Sequence, residues 1–197
     1  YGNLAGGLSD VGFIVVRYDK RGVGQSGGRI ESITLAEYAE VVRSVIRHLR
    51  DRADVDERRI AVVGYGESGW VAMLAAAKER RITALGLVAA PSTRGVEFVL
   101  EQQRQMLVRM EISDEERLSK MELQRRIHDA VLTGDGWDDI PPDMRKQADT
   151  PWFSSYLNFW PADVIQDLRQ PMVVIHGGLD RQIVPGHADR LLEMGLA

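Results

Sequence analysis

One stretch of sequence decides the fold: Arg59-Ile60-Ala61-Val62-Val63-Gly64-Tyr65-Gly66-Glu67-Ser68-Gly69-Trp70. Its short, β-branched apolar run predicts a buried strand, and the glycine-rich segment that follows predicts a tight turn. From Trp70 to about Arg80 the sequence is rich in alanine and predicts a helix. A strand, a turn and a helix in this order are typical of an α/β fold with parallel strands and right-handed crossovers.

Four segments predict the strands of one parallel sheet: residues 13–19, 59–64, 84–90 and 171–177. Each is short and apolar, as expected for strands buried between helices on both faces of the sheet. An amphipathic helix follows the first segment, and Thr34 with Glu37 predicts a capping box at its start. The apolar positions that recur in this helix at helical spacing are Leu35, Ala39, Val42, Val45, Ile46 and Leu49.

Residues 93–168 form a polar, helical region with little strand character. Ser113, followed by three acidic residues, predicts the start of a long helix, and Gly134 predicts its end. We therefore expect a core made of residues 1–92 and 169–197, with residues 93–168 inserted as a helical cap. Six aromatic residues of the insertion should pack it onto the core, or alternatively some of them line an apolar substrate pocket. They are Trp137, Trp152, Phe153, Tyr156, Phe159 and Trp160.

The composition excludes several classes of function. The 197 residues carry a net charge of −4, which argues against nucleic acid and anionic membranes as partners. The absence of cysteine excludes disulfides, thiolate catalysis and cysteine-bound metal. No apolar run is long enough to span a bilayer, and no signal peptide is recognisable. The sequence predicts neither a compartment nor an oligomeric state.

Three motifs carry a resemblance to a known family. Residues 19–26, Asp-Lys-Arg-Gly-Val-Gly-Gln-Ser, look like the D-x-R-G-x-G-x-S turn that follows a central strand, and residues 59–77 look like a nucleophile elbow. The segment from Ile175 to Asp180 resembles the strand end that supplies the acid of a catalytic triad. The motif positions are Asp19, Arg21, Gly22, Gly24 and Ser26 in the first motif, and Gly64 and Tyr65 in the second.

With these motifs the chain resembles the α/β-hydrolase superfamily, and within it bacterial esterase-like and serine-aminopeptidase-like members with a helical cap. The resemblance implies an α/β-hydrolase fold. It also implies hydrolysis of an ester or amide bond by a Ser-His-Asp triad through an acyl-enzyme.

The elbow departs from the family pattern G-x-S-x-G. The nucleophile position holds Gly66, which tolerates a strained backbone but has no side chain to attack a carbonyl. The backbone N–H of Glu67 could still act as an oxyanion donor. Ser68 lies two residues further on, and residues two apart on a helix point in different directions. We expect Ser68 to pack against neighbouring structure or to cap the helix, with a role as fallback nucleophile as the disfavoured alternative.

The acid and the base of the triad are a separate question. Asp180 occupies the acid position that the resemblance implies. The family's histidine follows the acid after a further helix and strand, so His187 comes too early and should lie on a helix surface. His176 should end a strand, and His48 and His128 should lie on helix surfaces. We therefore expect the catalytic histidine and the oxyanion loop to be missing from this chain, and the fold to be truncated at both ends.

These departures predict a chain that does not hydrolyse esters through serine. The alternative is a non-catalytic module that binds a small molecule between cap and core. A third hypothesis is dinucleotide binding, because residues 64–69 match G-x-G-x-x-G between a strand and a helix. Residues 22–27 match the same pattern, and the strand after the elbow ends in Ala89-Ala90-Pro91 without the acid that binds ribose. The histidines lie on separate elements, so we expect no metal and no cofactor.

Overall fold

A three-stranded parallel sheet forms the centre of the protein. The computed structural model describes residues 2–196. Its strands are β1 (Ile60–Tyr65), β2 (Ile82–Val88) and β3 (Met172–Ile175), in the order β1-β2-β3. Val63 lies opposite Gly86, and Gly86 lies opposite Val173. Three of the four predicted strands and their parallel arrangement are therefore confirmed.

The strand predicted at residues 13–19 is wrong. This segment follows the first helix, α1 (Gly2–Asp10), and has no regular secondary structure. Phe13, Ile14 and Val16 are each about half exposed or more, and within residues 2–196 the segment pairs with no strand. An apolar, β-branched pattern fits a strand only where a neighbouring strand supplies the hydrogen-bond ladder, and here none does.

The helix α2 (Leu35–Arg50) begins as predicted. The Glu37 N–H donates to the Thr34 hydroxyl at 3.2 Å, and the Thr34 N–H donates to the Glu37 carboxylate at 2.8 Å. These two bonds satisfy backbone donors that the first turn of a helix leaves without partners. The apolar face of α2 packs against the elbow helix, α3 (Glu67–Lys78).

Helices cover one face of the sheet. α3 packs on β1 and β2, and on that face Leu85 and Leu87 are buried. On the opposite face Val63, Val173 and Ile175 are each about half exposed, although parallel sheets are usually covered on both faces. The expected parallel sheet flanked by helices is therefore confirmed, whereas cover on both of its faces is not found within residues 2–196.

Residues 93–168 are helical, as expected. The helices are α4 (Gly95–Val108), α5 (Asp114–Thr133), α6 (Pro142–Ala148), α7 (Pro151–Asn158) and α8 (Ala162–Ile165). The Ser113 hydroxyl caps α5 by accepting from the Glu116 N–H at 3.1 Å, and Gly134 ends the helix with φ of 83°. After β3 the last described helix is α9 (Gly186–Leu196). Among residues 2–196 no helix combines the length and apolar character needed to cross a membrane.

An aromatic cluster joins the inserted helices to α3. Its centre is Trp70, which is fully buried and donates its indole N–H to the Pro91 carbonyl at 2.7 Å. The ring centroids of Phe98, Tyr156 and Phe159 lie 6.1, 4.9 and 4.8 Å from that of Trp70. The expected packing role is thus confirmed for Tyr156 and Phe159, which hold α7 and the residues after it against the elbow helix.

The other aromatic residues of the insertion differ in their contacts. Trp152 packs on Tyr156 and on Phe153. Trp137 is buried within the insertion itself, against α5. Trp160 is 37% exposed, and the Arg94 guanidinium lies 5.0 Å from its ring centroid. Packing onto the core therefore accounts for only part of this aromatic set.

Candidate active site

Gly66 forms the sharp turn between β1 and α3. Its φ of 58° and ψ of −127° lie in a region that residues with a side chain enter only with strain. The Gly66 N–H donates to the Val88 carbonyl at 2.9 Å, and the Gly66 carbonyl accepts from the Gly69 N–H at 2.9 Å. The turn thus lies at the carboxyl end of β1, as predicted, and hydrogen bonds on both sides hold its backbone.

The space beside Gly66 can accept a side chain. A Cβ built on Gly66 would lie 3.9 Å from Cδ1 of Ile183, which is an ordinary van der Waals distance. Ile183 is buried, so the surface facing this position is apolar. Position 66 therefore combines a turn backbone with room for a Cβ, and its glycine supplies no side chain there.

Ser68 neither packs nor caps, so the structural role predicted for it is wrong. It is exposed in the first turn of α3, the N-cap is Gly66, and within residues 2–196 the Ser68 hydroxyl has no hydrogen bond. The close approach of α3 to the strands concerns its backbone and Gly69: a Cβ on Gly64 of β1 would collide with the Ser68 carbonyl, and a Cβ on Gly69 would lie 2.6 Å from Cβ of Ala90, just after β2. Nothing in the described part of the chain activates the Ser68 hydroxyl.

Glu67 links the elbow to the insertion. As the first residue of α3, it presents its backbone N–H at the positive end of the helix dipole. Its carboxylate accepts a hydrogen bond from the indole N–H of Trp152 at 3.2 Å. A residue of α7 is therefore hydrogen-bonded directly to the residue that follows Gly66.

Asp180 lies in the loop after β3, and backbone N–H groups of the same loop donate to its carboxylate. One carboxylate oxygen accepts from the N–H groups of Gln182 at 2.8 Å and Ile183 at 3.0 Å. Desolvation raises the pKa of Asp180, but these two donors and the nearby His176 outweigh it, so the pKa lies below its ordinary value. Asp180 is therefore held in its ionised form.

His176 shapes the same loop from its position directly after β3, at the strand end where it was predicted. Its Nε2 donates to the Ile183 carbonyl at 2.6 Å, and lies 3.9 Å from the Asp180 carboxylate. This bond holds the loop in a conformation in which Ile183 lies beside Gly66. We call residues 176–183 the acid loop. In residues 2–196 no histidine is hydrogen-bonded to Asp180 or Ser68, so no base joins the acid loop to the turn at Gly66.

The segment from Asp19 to Ser26 closes into a turn, as its glycines suggest. The Ser26 hydroxyl donates to the Asp19 carbonyl at 2.6 Å, and the Gln25 N–H donates to the Asp19 carboxylate at 3.2 Å. Gly24 has φ of 57° and lies so close to this carboxylate that a Cβ would collide with it. Gly22 has φ of 74°. The motif therefore folds locally although the strand predicted before it does not form.

His187 is not on the surface, so its prediction is wrong. The side chain is fully buried, and its Nδ1 lies 2.9 Å from both the backbone nitrogen and the hydroxyl oxygen of Ser92. Since a backbone N–H can only donate, Nδ1 is the acceptor, and Nε2 carries the proton that points to Glu101 at 3.0 Å. Arg190 donates from its Nε to the Ser92 hydroxyl at 2.9 Å.

We call Ser92, Glu101, His187 and Arg190 the His187 clamp. Burial lowers the pKa of His187, the Arg190 guanidinium acts in the same direction, and the Glu101 carboxylate opposes both. The order of serine, histidine and carboxylate has the contact distances of a triad. Ser92 is fully buried, however, and its own backbone N–H occupies Nδ1, so the cluster joins the loop after β2 to α4 and α9.

His128 also differs from its prediction, because it is buried in the insertion and not on a helix surface. Its Nε2 lies 2.9 Å from the side-chain nitrogen of Gln124, and its ring contacts Phe153 edge-on. Burial lowers the pKa of His128 to about 4. His48 is exposed on α2, as predicted. In the described part of the chain no three acidic or histidine residues form a group that could hold a metal ion.

The sheet, the glycine turn at the end of β1 and the acid loop after β3 define a protein of the α/β-hydrolase class. The Alpha/beta hydrolase family model matches residues 1–197, and the chain belongs to this family. It is 31% identical over 188 residues to Esterase EstD of Thermotoga maritima, a match that covers 92% of this chain and 41% of EstD. The chain thus spans about two-fifths of the length of this curated relative.

Solved structures agree on the fold. The α/β hydrolase GrgF from Penicillium sp. sh18 superimposes with a TM-score of 0.63 at 20% identity, covering 98% of this chain and 71% of GrgF. A hydrolase from Pseudomonas aeruginosa gives a TM-score of 0.54 at 20% identity, covering 90% of this chain and 66% of that one. At this level of identity the likeness concerns the fold alone.

Proposed function

We propose that the site around Gly66 and Asp180 derives from an ester- or amide-hydrolysing site, and that this chain does not hydrolyse such bonds through a serine. The observation that carries the proposal is the elbow backbone at Gly66, which keeps its strained geometry without a nucleophile. Carboxylic esters are the first substrate class to test, because the similar protein EstD is named an esterase.

The chemistry of serine hydrolases explains why the residue at position 66 decides whether hydrolysis through a serine can occur. In a serine hydrolase the hydroxyl oxygen attacks the carbonyl carbon while a histidine takes its proton, and the acid orients that histidine. At Gly66 the first bond cannot form. Loss of the serine alone costs about 10⁶-fold in turnover in subtilisin, so the remaining groups contribute little. The Glu67 N–H and the ionised Asp180 could still stabilise a bound polar molecule.

The division into a core (residues 1–92 and 169–197) and a cap (residues 93–168) is part of the same proposal. Two contacts support it. Trp152 of α7 donates to Glu67 beside the elbow, and Arg109 at the end of α4 donates to the Arg181 carbonyl at 2.6 Å, beside Asp180. A small-molecule ligand would then bind between the inserted helices and the carboxyl ends of the strands.

A non-catalytic binding module is the second candidate. The specific observation in its favour concerns two contacts beside the turn. The Trp152 indole N–H donates to Glu67, and the apolar side chain of Ile183 lies next to Gly66, although position 66 carries no nucleophile. Dinucleotide binding has less support. Gly69 packs against Ala90, and β2 leads into Ala89-Ala90-Pro91 without an acidic residue for ribose.

A fluorophosphonate probe tests the proposal. We expect no covalent adduct by intact-protein mass spectrometry and no hydrolysis of p-nitrophenyl butyrate above the buffer rate. A stoichiometric adduct on Ser68 or any other serine, with matching turnover, would overturn the inactive assignment. Titration with butyrate, followed through the amide signals of Gly66 and Glu67, separates the two candidates. Saturable shifts there favour the binding module.

A further inference from the structure

A groove lies within the inserted helices, lined by residues of α4, α5 and α6 and by Met110 just after α4. Its volume is about 210 Å³. Met106, Met110 and Met144 form its rim and are each between 41% and 50% exposed. Leu107, Leu123 and Ile127 form its floor. We call this feature the methionine groove; it contains no residue of the elbow or the acid loop.

We propose that the methionine groove binds a medium-chain carboxylate, with the alkyl chain along the three methionines and the carboxylate at Lys120. This function is separate from the site at Gly66 and does not depend on it. Three observations carry the proposal: the volume of the groove, the charge of its lining and the buried support behind its wall.

The volume sets the length of the ligand. An engineered apolar cavity of about 150 Å³ holds benzene, a ligand of six carbons, so a groove of about 210 Å³ has room for roughly eight carbons. An alkyl chain of about six to eight carbons fits this space. Methionine side chains are unbranched and polarizable, so they adapt to such a chain better than branched residues would.

The charge sets the head group. Lys120 is the one charged residue among the nine described residues that line the groove, and Gln103 and Gln124 add two amide groups. The Lys120 ammonium lies 3.4 Å from the Glu116 carboxylate, and both side chains are about half exposed. Such a surface ion pair is weak, so a ligand carboxylate can compete for the ammonium. With no carboxylate in the lining itself, the groove favours an anion over a cation.

The wall of the groove is supported from behind. Gln124 lies 2.9 Å from Nε2 of His128, which is buried between α5 and Phe153. His128 therefore fixes one end of the Gln124 amide. A rotamer held in this way loses less entropy when a ligand binds to it.

Methionine-methyl NMR with sodium octanoate tests the proposal. We expect saturable shifts of Met106, Met110 and Met144, with a dissociation constant on the order of 1 mM or below. The core methionines Met73 and Met172 should not shift, and they report that the fold is intact. Dodecanoate should bind no tighter than octanoate, because the groove is already filled. Equal shifts at core and groove methionines, or affinity that keeps rising with chain length, would overturn the proposal.

Variants separate head group from chain. Lys120→Gln should weaken octanoate about fivefold and leave 1-octanol binding unchanged. Met144→Glu should abolish binding of both, and Met110→Glu provides a second test if the first variant is unstable. Leu118→Glu is the matched control, because Leu118 is exposed on α5 outside the groove. Unchanged octanoate affinity in Lys120→Gln and Met144→Glu, or equal loss in Leu118→Glu, would show nonspecific adsorption and refute the site.

Discussion

The Nδ1 atom of His187 accepts a hydrogen bond from the backbone N–H of Ser92 across 2.9 Å, and both residues are fully buried. The two residues are 95 positions apart in the chain. Their bond therefore ties α9 to the loop after β2, while Glu101 on the other side of the imidazole ties both to α4. The contacts between these three segments, which are distant in sequence, therefore depend on one neutral histidine.

Replacing this histidine should destabilise the protein. His187→Ala leaves the buried Ser92 N–H without its acceptor and removes the donor to the partly exposed Glu101 carboxylate, so we expect a loss of about 1–3 kcal/mol in the free energy of unfolding. The measurement is the urea midpoint. His48→Ala, at an exposed position of α2, is the control and should stay within about 0.5 kcal/mol of the wild type. Similar midpoints for the two variants would contradict the clamp.

The two buried histidines should make stability depend on pH. Burial lowers the pKa of His187 and lowers that of His128 to about 4, whereas an unfolded histidine titrates near 6.5. Below pH 6.5 the unfolded chain binds protons that the folded chain does not, so stability falls from there toward pH 4. His128→Leu should flatten the fall, measured by urea midpoints across this range, and His48→Ala should not. A wild-type midpoint constant between pH 6.5 and 4 would refute this.

Adding a methyl group at two glycines of the elbow should give different results. Gly66→Ala meets only an ordinary van der Waals contact with Ile183 but has a positive φ, so we expect strain of about 1–3 kcal/mol with no shift of the fold. Gly69→Ala places its methyl group against Ala90 and should push α3 away from the sheet. Because Trp70 follows Gly69 directly within α3, near-UV circular dichroism should change in Gly69→Ala alone. An altered spectrum in Gly66→Ala would contradict the room for a Cβ at that position.

The indole of Trp70 should matter more than that of Trp160. Trp70→Phe leaves the buried Pro91 carbonyl without its donor, which costs about 1–3 kcal/mol. Trp160 is partly exposed, so Trp160→Phe should change the free energy of unfolding by less than about 0.5 kcal/mol. Chemical unfolding of both variants checks the difference, and equal losses would mean that the aromatic cluster does not anchor the insertion.

Local chemistry was predicted from the sequence most accurately. The capping box of Thr34 and Glu37, the end of α5 at Gly134 and the turn at Gly66 each depend on residues within a few positions of one another. In these places the residue type itself indicates the backbone conformation, as a glycine indicates a positive φ. The three paired strands were also predicted, because β-branched apolar runs are distinctive when they alternate with helices.

The errors concern contacts between distant segments. His187 was assigned to a surface because nothing near it in sequence reveals Ser92 or Glu101 as partners. His128 was misassigned for the same reason, since its cover comes from Phe153. The segment at residues 13–19 has the composition of a strand, but pairing is a property of two segments and cannot be deduced from one. The methionine groove has no sequence signature, because its residues come from three helices.

The sheet face that carries Val63, Val173 and Ile175 has a consequence for handling the protein. An exposed apolar face next to an edge strand favours adsorption to plastic, resin and air–water interfaces. Adsorption removes apolar surface from water, and this is favourable for the same reason that burial in a folded core is favourable. The net charge of −4 gives only modest colloidal repulsion, and mild acid titrates it away. Recovery during purification should therefore fall with added ammonium sulfate and rise with a non-ionic detergent.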